Sequence, residues 1–317
     1  MNKKVLGIIL TFSLMLVSFA SSFAAIVQAV TVQEITGKLG GADYLVRIPS
    51  NWNGDLVVYC RGYSHLLSGV DMVAPANAFN ALINLGYAFA ESNYGVGGFC
   101  IKEGIIRTHQ LTEWVINNYH VTGRVYLVGI SMGGATVLML GAKYPELYDG
   151  VLDIAGTTDA VARYNLHSNY AGISDDTTLG NAVVANGGIN PPFPCPTIAV
   201  FRAYCQSSVA DTVAACGGTP DKKPEAYERV SPIYSAVDIA VPTIVVHGTK
   251  DGLIPYSHSV NFLNAVVAEG HSNLFRFYKV VGGEHANLPV IGQIPVRLMQ
   301  LINWVENGVL PPASSTP

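Results

Sequence analysis

From Tyr44 to Asn307, short apolar runs alternate with stretches of helical spacing. This alternation narrows the fold more than any other feature of the chain. YLVRIP (Tyr44–Pro49), DLVVYC (Asp55–Cys60), YAFAES (Tyr87–Ser92), RVYLVG (Arg124–Gly129), GVLDIAG (Gly150–Gly156), TIVVHG (Thr243–Gly248) and Leu274–Val280 read as strands. The segments Ala76–Leu85, Ile105–Tyr119, Gly133–Tyr144, Ser257–Ala268 and Pro295–Asn307 read as helices. Strands that are apolar throughout are buried on both faces, which calls for parallel pairing with helices on either side. The expectation is an α/β fold with a mostly parallel central sheet.

The alternation stops once, between Ala155 and Ala240, where Gly, Pro, Asn and Ser are frequent (NGGINPPFPCP). A structureless loop of that length is rare inside a compact domain. The segment 156–240 therefore reads as an inserted cap with some helix of its own. It divides the core into 30–155 and 241–309, and the tail 310–317 is expected to be disordered. At the other end, Lys3 and Lys4 precede an apolar run from Val5 to about Ala20, followed by the small residues SSFAAIVQA. This is the pattern of a secretory signal over residues 1–29, with cleavage after Ala24 or Ala29. The alternative is an uncleaved N-terminal anchor, although the run is short of the ~20 residues a spanning helix needs. A secreted protein with no stable membrane insertion after cleavage is the expectation.

The 317 residues carry a net charge of −4, and only 13% are charged. Basic residues are few and scattered, which argues against a nucleic-acid partner. The five cysteines are Cys60, Cys100, Cys195, Cys205 and Cys216. An exported chain can keep disulfides. One bridge within the last three, and a second between Cys60 and Cys100, are expected; the alternative is buried free thiols. No CxxC is present and no histidine falls within the cysteine cluster, so a zinc site is not expected. The sequence does not report the oligomeric state.

Gly129-Ile130-Ser131-Met132-Gly133 fits G-x-S-x-G and lies directly after a strand and before a helix. In that context the serine sits on a tight turn at the sheet edge, and its neighbours must be small. Ser131 is the candidate nucleophile. The Met132 amide, at a helix N-terminus, can donate to an oxyanion. A serine needs a base. His285 in VVGGEHAN follows the last strand, and His65 is the reserve; His247, inside an apolar strand end, reads as structural. A base needs an acid to fix its tautomer. Asp251 in HGTKDGLIP supplies a carboxylate at the same sheet edge, with Asp153, Asp159 and Glu284 in reserve.

The order Ser131, Asp251, His285 is that of the α/β-hydrolases. On GISMGG, HGTKDGLIP, GGEH and the strand end VVYCRGY, the chain resembles a serine hydrolase of that superfamily, and its opening YLVRIPSNWNGDLVVYCRGY resembles secreted hydrolases of the esterase, feruloyl-esterase and peptidase-like branches. The resemblance implies a second oxyanion amide from the residue after Gly62, which is Tyr63. Arg61 stands where the family has histidine, and reads as a surface or ion-pairing side chain. No metal or organic cofactor is implied. The expected activity is cleavage of a small-molecule or polymeric carboxylic ester (feruloyl, short acyl or polyester) through an acyl-enzyme. Phe193, Phe201 and Tyr204 either bind the acyl or aryl group or form the cap's own core. One alternative is a serine peptidase of the prolyl-oligopeptidase kind, for which Asp175, Asp176 and Glu225 could receive a free amino terminus. Another is an exported binding protein on a hydrolase scaffold.

Overall fold

The computed structural model describes residues 30–64 and 76–313. The expected signal segment 1–29, the reserve base His65 and the last four residues of the tail lie outside the described residues. The described residues from Val32 onward form one compact unit.

The strands are β1 (Val32–Leu39), β2 (Ala42–Pro49), β3 (Leu56–Cys60), β4 (Ala88–Ser92), β5 (Val125–Ile130), β6 (Gly150–Ile154), β7 (Thr243–Gly248) and β8 (Phe275–Val280). They form one sheet in the order β1-β2-β4-β3-β5-β6-β7-β8. The pairs β1·β2 and β2·β4 are antiparallel, and every pair from β4·β3 to β7·β8 is parallel. β3 to β7 are buried at every position, which is why they read as largely apolar runs, interrupted only by Glu91 and Ser92 in β4, Asp153 in β6, and Thr243 and His247 in β7.

The helices are α1 (Ala76–Asn84), α2 (Ile101–Asn118), α3 (Met132–Lys143), α4 (Ala160–Gly172), α5 (Asp176–Ala185), α6 (Ile198–Cys216), α7 (Pro224–Glu228), α8 (Ser257–Ala268), α9 (Leu288–Ile291) and α10 (Ile294–Asn307). Two cores result, one on each face of the sheet. Val58, Leu127, Val151, Val245 and Phe277 point toward α2, α3 and α8 and pack with Leu111, Val137, Leu140 and Phe262. The alternate positions Val57, Val128, Leu152, Ile244 and Tyr278 pack against Phe79, Leu298, Leu301 and Trp304 of α1 and α10. This is the α/β-hydrolase layering.

The segment between β6 and β7 folds as α4 to α7 and a 3₁₀ turn at Pro232–Asp238. It has a small core of its own, with Tyr170, Leu179, Val183, Phe201 and Cys205. That core includes Leu253 and Ile254 from the loop after β7, so the insertion is packed onto the same edge of the sheet as Asp251.

Two expectations change here. All five cysteines are free and buried, and neither expected bridge is present. Cys60 faces Thr108 Oγ1 at 3.5 Å, while Cys100 Sγ accepts from Arg61 at 3.6 Å. Burial pushes the thiols of Cys60, Cys100 and Cys216 up to about 11, so they remain protonated at neutral pH. The tail is also ordered further than expected: the carbonyls of Pro311 and Pro312 accept from Arg276 and Tyr278 of β8. Among the described residues no helix is long and apolar enough to cross a membrane.

Candidate active site

β5 runs to the edge of the sheet at Ile130, and α3 begins at Met132, which leaves Ser131 alone on the turn. Its φ of 59° lies in a region that side-chain-bearing residues rarely occupy, a strain of about 1–3 kcal/mol. Backbone bonds hold it there. Ser131 N donates to Ile154 O at 2.9 Å, and Ser131 O accepts from Gly134 N at 2.9 Å. The chains approach so closely that a Cβ on Gly129 would lie 2.1 Å from Gly133 O, and one on Gly133 would lie 2.0 Å from Cys60 O. The small residues of GISMGG are thus a packing requirement of the turn.

His285 comes from the loop after β8. Gly282 turns that loop with φ 74°, and Lys250 N donates to Gly283 O at 2.7 Å, which ties it across the end of β7. The ring then lies between two partners: His285 Nε2 is 2.9 Å from Ser131 Oγ, and Nδ1 is 2.7 Å from Asp251 Oδ2. A carboxylate only accepts, so Nδ1 carries the proton and the Nε2 lone pair faces the serine hydroxyl. Ser131 is partly exposed, whereas His285 and Asp251 are buried. The structure therefore brings together the three residues that the sequence singles out.

Asp251 is held at both oxygens. Oδ1 accepts from Leu253 N at 2.9 Å and Ile254 N at 2.8 Å. Oδ2 accepts from His285 and also from His247 Nε2, at 3.1 Å. Burial alone would raise the pKa of this carboxyl, but the charge and hydrogen bonds of His285 and His247 outweigh it and hold Asp251 below the usual carboxylate range. Asp251 is thus an anion at neutral pH.

The Met132 amide adjoins the serine, and the Gly62–Tyr63 turn packs against it. The Met132 N–H opens α3 and has no acceptor among the described residues. Gly62 lies against the turn: a Cβ on it would sit 3.4 Å from Ser131 Cβ. The following amide, of Tyr63, also has no acceptor among the described residues. The Tyr63 hydroxyl donates to Asp211 Oδ2 of α6 at 2.6 Å, and its ring meets Tyr204 edge-on with centroids 5.5 Å apart. Tyr204 also stacks on Phe201, which is fully buried in the core of the insertion, whereas Phe193 is exposed.

Arg61 is a correction. It is buried, not on the surface, and among the described residues it pairs with no carboxylate. Its guanidinium donates to the carbonyls of Asn93 (2.9 Å), Val96 (2.6 Å) and Gly62 (3.1 Å) and lies 4.6 Å from the centre of the Tyr94 ring. It thus fastens the Gly62 turn to the 93–96 loop. The reserve acids lie elsewhere in the hydrogen-bond network: Asp159 caps α4 through Ala162 N, and Glu284 accepts from Phe193 N. Asp153 is buried between Gly134 and Gly156, where burial pushes its carboxyl up to about 7.

Sequence reasoning missed the part played by His247, which is bonded to Asp251 and fully buried. The signal available was its place four residues before the acid in HGTKD. Two further histidines lie beneath the insertion. His167 bridges Ser208 Oγ of α6 (2.8 Å) and the carbonyl of Leu253 (2.9 Å). His258 of α8 is depressed by burial to about 4. The unfolded chain binds a proton on this histidine near its ordinary 6.5, while the folded protein refuses it until about 4. This contribution is therefore intact above pH 6.5 and lost as pH falls from 6.5 to 4. At pH 5 the loss amounts to about 2 kcal/mol. Urea denaturation at pH 7 and pH 5 measures it: the stability that wild type loses between the two should exceed that lost by His258→Gln by that amount.

Comparison with known proteins adds to this geometry. The BD-FAE family model matches residues 51–266. Among solved structures, an acylaminoacyl peptidase of Pyrococcus horikoshii superposes with a TM-score of 0.60 at 13% identity, covering 87% of this chain and 42% of that one. The esterase Pf2001 of Pyrococcus furiosus gives 0.59 at 11% identity, with 87% and 91% covered. Est1E from Butyrivibrio proteoclasticus gives 0.53 at 12% identity, with 85% and 98% covered. The chain spans less than half the length of the peptidases it matches, and identities this low speak for the fold alone. No curated protein matches the chain.

Proposed function

This chain belongs to the BD-FAE family, and on that basis we propose that it is a serine hydrolase acting on carboxylic esters through Ser131, His285 and Asp251. The observation that carries the reading is the continuous line of hydrogen bonds from Asp251 Oδ2 through the His285 ring to Ser131 Oγ, at 2.7 and 2.9 Å. In this reading His285 takes the serine proton as Oγ attacks the acyl carbonyl. Asp251 stabilises the imidazolium. The amides of Met132 and Tyr63 receive the oxyanion, and the imidazolium then gives its proton to the leaving alcohol. Water, activated by the same histidine, releases the acid from the acyl-enzyme. Arg61 and the Tyr63–Asp211 bond keep the Gly62–Tyr63 turn in place for this task.

The acidic side chains favour an ester over a peptide with a free amino terminus. Asp176 is paired with Arg202, Asp175 caps α5 through Thr178 N, and Glu225 pairs with Arg229 at 3.5 Å. All three therefore have partners within the insertion. The basic, apolar and small-residue pattern of residues 1–29 supports an exported enzyme. A panel of p-nitrophenyl esters from acetate to palmitate, methyl ferulate and an aminoacyl p-nitroanilide tests the reading. Ester turnover well above anilide turnover is expected, and the chain-length profile then sizes the acyl site. Anilide turnover with poor ester turnover would move the protein to the peptidases.

A further inference from the structure

Among the described residues, His247 is the one side chain outside the proposed triad that hydrogen-bonds its acid. It is the penultimate residue of β7 and is fully buried. Its Nε2 faces two acceptors, Asp251 Oδ2 at 3.1 Å and the Ile254 carbonyl at 2.8 Å. Nε2 must therefore carry a proton. Its Nδ1 meets Ser259 Oγ of α8 at 2.7 Å, and the Tyr256 ring stands edge-on to it at 6.1 Å. The imidazole is held at both nitrogens, and its N–H is shared between the Ile254 carbonyl and the carboxylate oxygen that His285 also uses.

We propose that His247 is a positioning residue for Asp251: it shares Oδ2 with His285, fixes the direction of that oxygen and restrains how strongly it supports the His285 imidazolium. The proposal rests on the reading of Ser131, His285 and Asp251 as a triad. The physical argument is one of competition. An oxygen that accepts a second, charge-withdrawing donor holds less negative charge for the first. Without His247, Oδ2 would serve His285 alone, the imidazolium would be better stabilised, and the base would stay protonated to higher pH. Oδ1 would keep its two amide donors, so the carboxylate would stay anchored at that oxygen while Oδ2 lost the donor that fixes its direction toward His285. A fully buried histidine that served only to fill space would not need its donor on this oxygen.

The other ionisable groups facing the cluster are Asp153 on β6, Asp159, Arg163 and His167 at and on α4, and His258 on α8. Substitutions at position 247 leave all of them in place, so a changed pH profile reads the contact with Asp251. His247→Asn is too short to reach Asp251, while His247→Gln can place an amide N–H near the position of Nε2. In the Asn variant, kcat should fall about tenfold with KM within about twofold. The acidic limb of its kcat/KM profile should move up by about half a pH unit. The Gln variant should restore both toward wild type. An acidic limb at the same pH in all three proteins overturns the proposal. If the Asn variant does not fold, Ser259→Ala, which releases Nδ1 and lets the ring turn away, must show the same upward shift. Ser131→Ala is assayed alongside: turnover that survives it overturns the triad reading, and this proposal with it, whereas turnover lost there with an unmoved limb at position 247 overturns this proposal alone.

Discussion

Asp251→Asn should lower kcat about 10⁴-fold while leaving the fold intact, the scale seen when a triad acid is made neutral. The reason lies in the donors around the side chain. Oδ1 sits against the amides of Leu253 and Ile254, which are fixed donors, so the carboxamide oxygen must take that place. The carboxamide nitrogen then faces His285 Nδ1 and His247 Nε2, where a carboxylate oxygen had accepted from both. His285 answers by moving its proton to Nε2. That nitrogen can no longer take a proton from Ser131 Oγ, 2.9 Å away, and the base is lost at neutral pH. Steady-state kinetics on the best ester substrate, with thermal melting as the control for folding, checks this. A loss of less than about tenfold would mean that Asp251 does not set the tautomer of His285.

Ser131→Ala should cost still more, about 10⁵- to 10⁶-fold in kcat, leaving the catalysis that binding and the two amides provide. The substitution removes one oxygen. It keeps the Cβ, so alanine meets the positive φ of 59° with the same strain that serine accepts. The bonds that build the turn run through the backbone of residue 131 and survive. Stability should therefore stay within about 1 kcal/mol of wild type, and loss of activity will report chemistry and not unfolding.

Much of this was legible in the sequence because the elements that place the site are buried. β3 and β5 to β7 are buried along their whole length and apolar except at Asp153, Thr243 and His247, a pattern that calls for a sheet covered on both faces. The turn at Ser131 was legible because only glycine fits where chains meet at about 2 Å from a Cβ. What escaped is what depends on distant contacts. β1 is mostly exposed and reads VQEITGKL, so no apolar run announces it; it forms because it pairs with β2 through a two-residue turn. Arg61 looked like a surface residue because its partners, the carbonyls of the 93–96 loop, come from another part of the chain. α6 hides its helical stripe because polar residues point inward: Ser208 and Thr212 are fully buried and accept from Arg163. His247 was flanked by apolar residues and so resembled a core position, although its ring bonds the same carboxylate oxygen as His285.

The most direct test of the central claim is mass analysis of the protein after reaction with a fluorophosphonate, which phosphonylates an activated serine with loss of fluoride. The account predicts one label per chain, on the peptide containing Gly129–Gly133, with labelling abolished in Ser131→Ala and strongly slowed in Asp251→Asn. A label on another serine, or an unlabelled protein that still turns over esters, would contradict it.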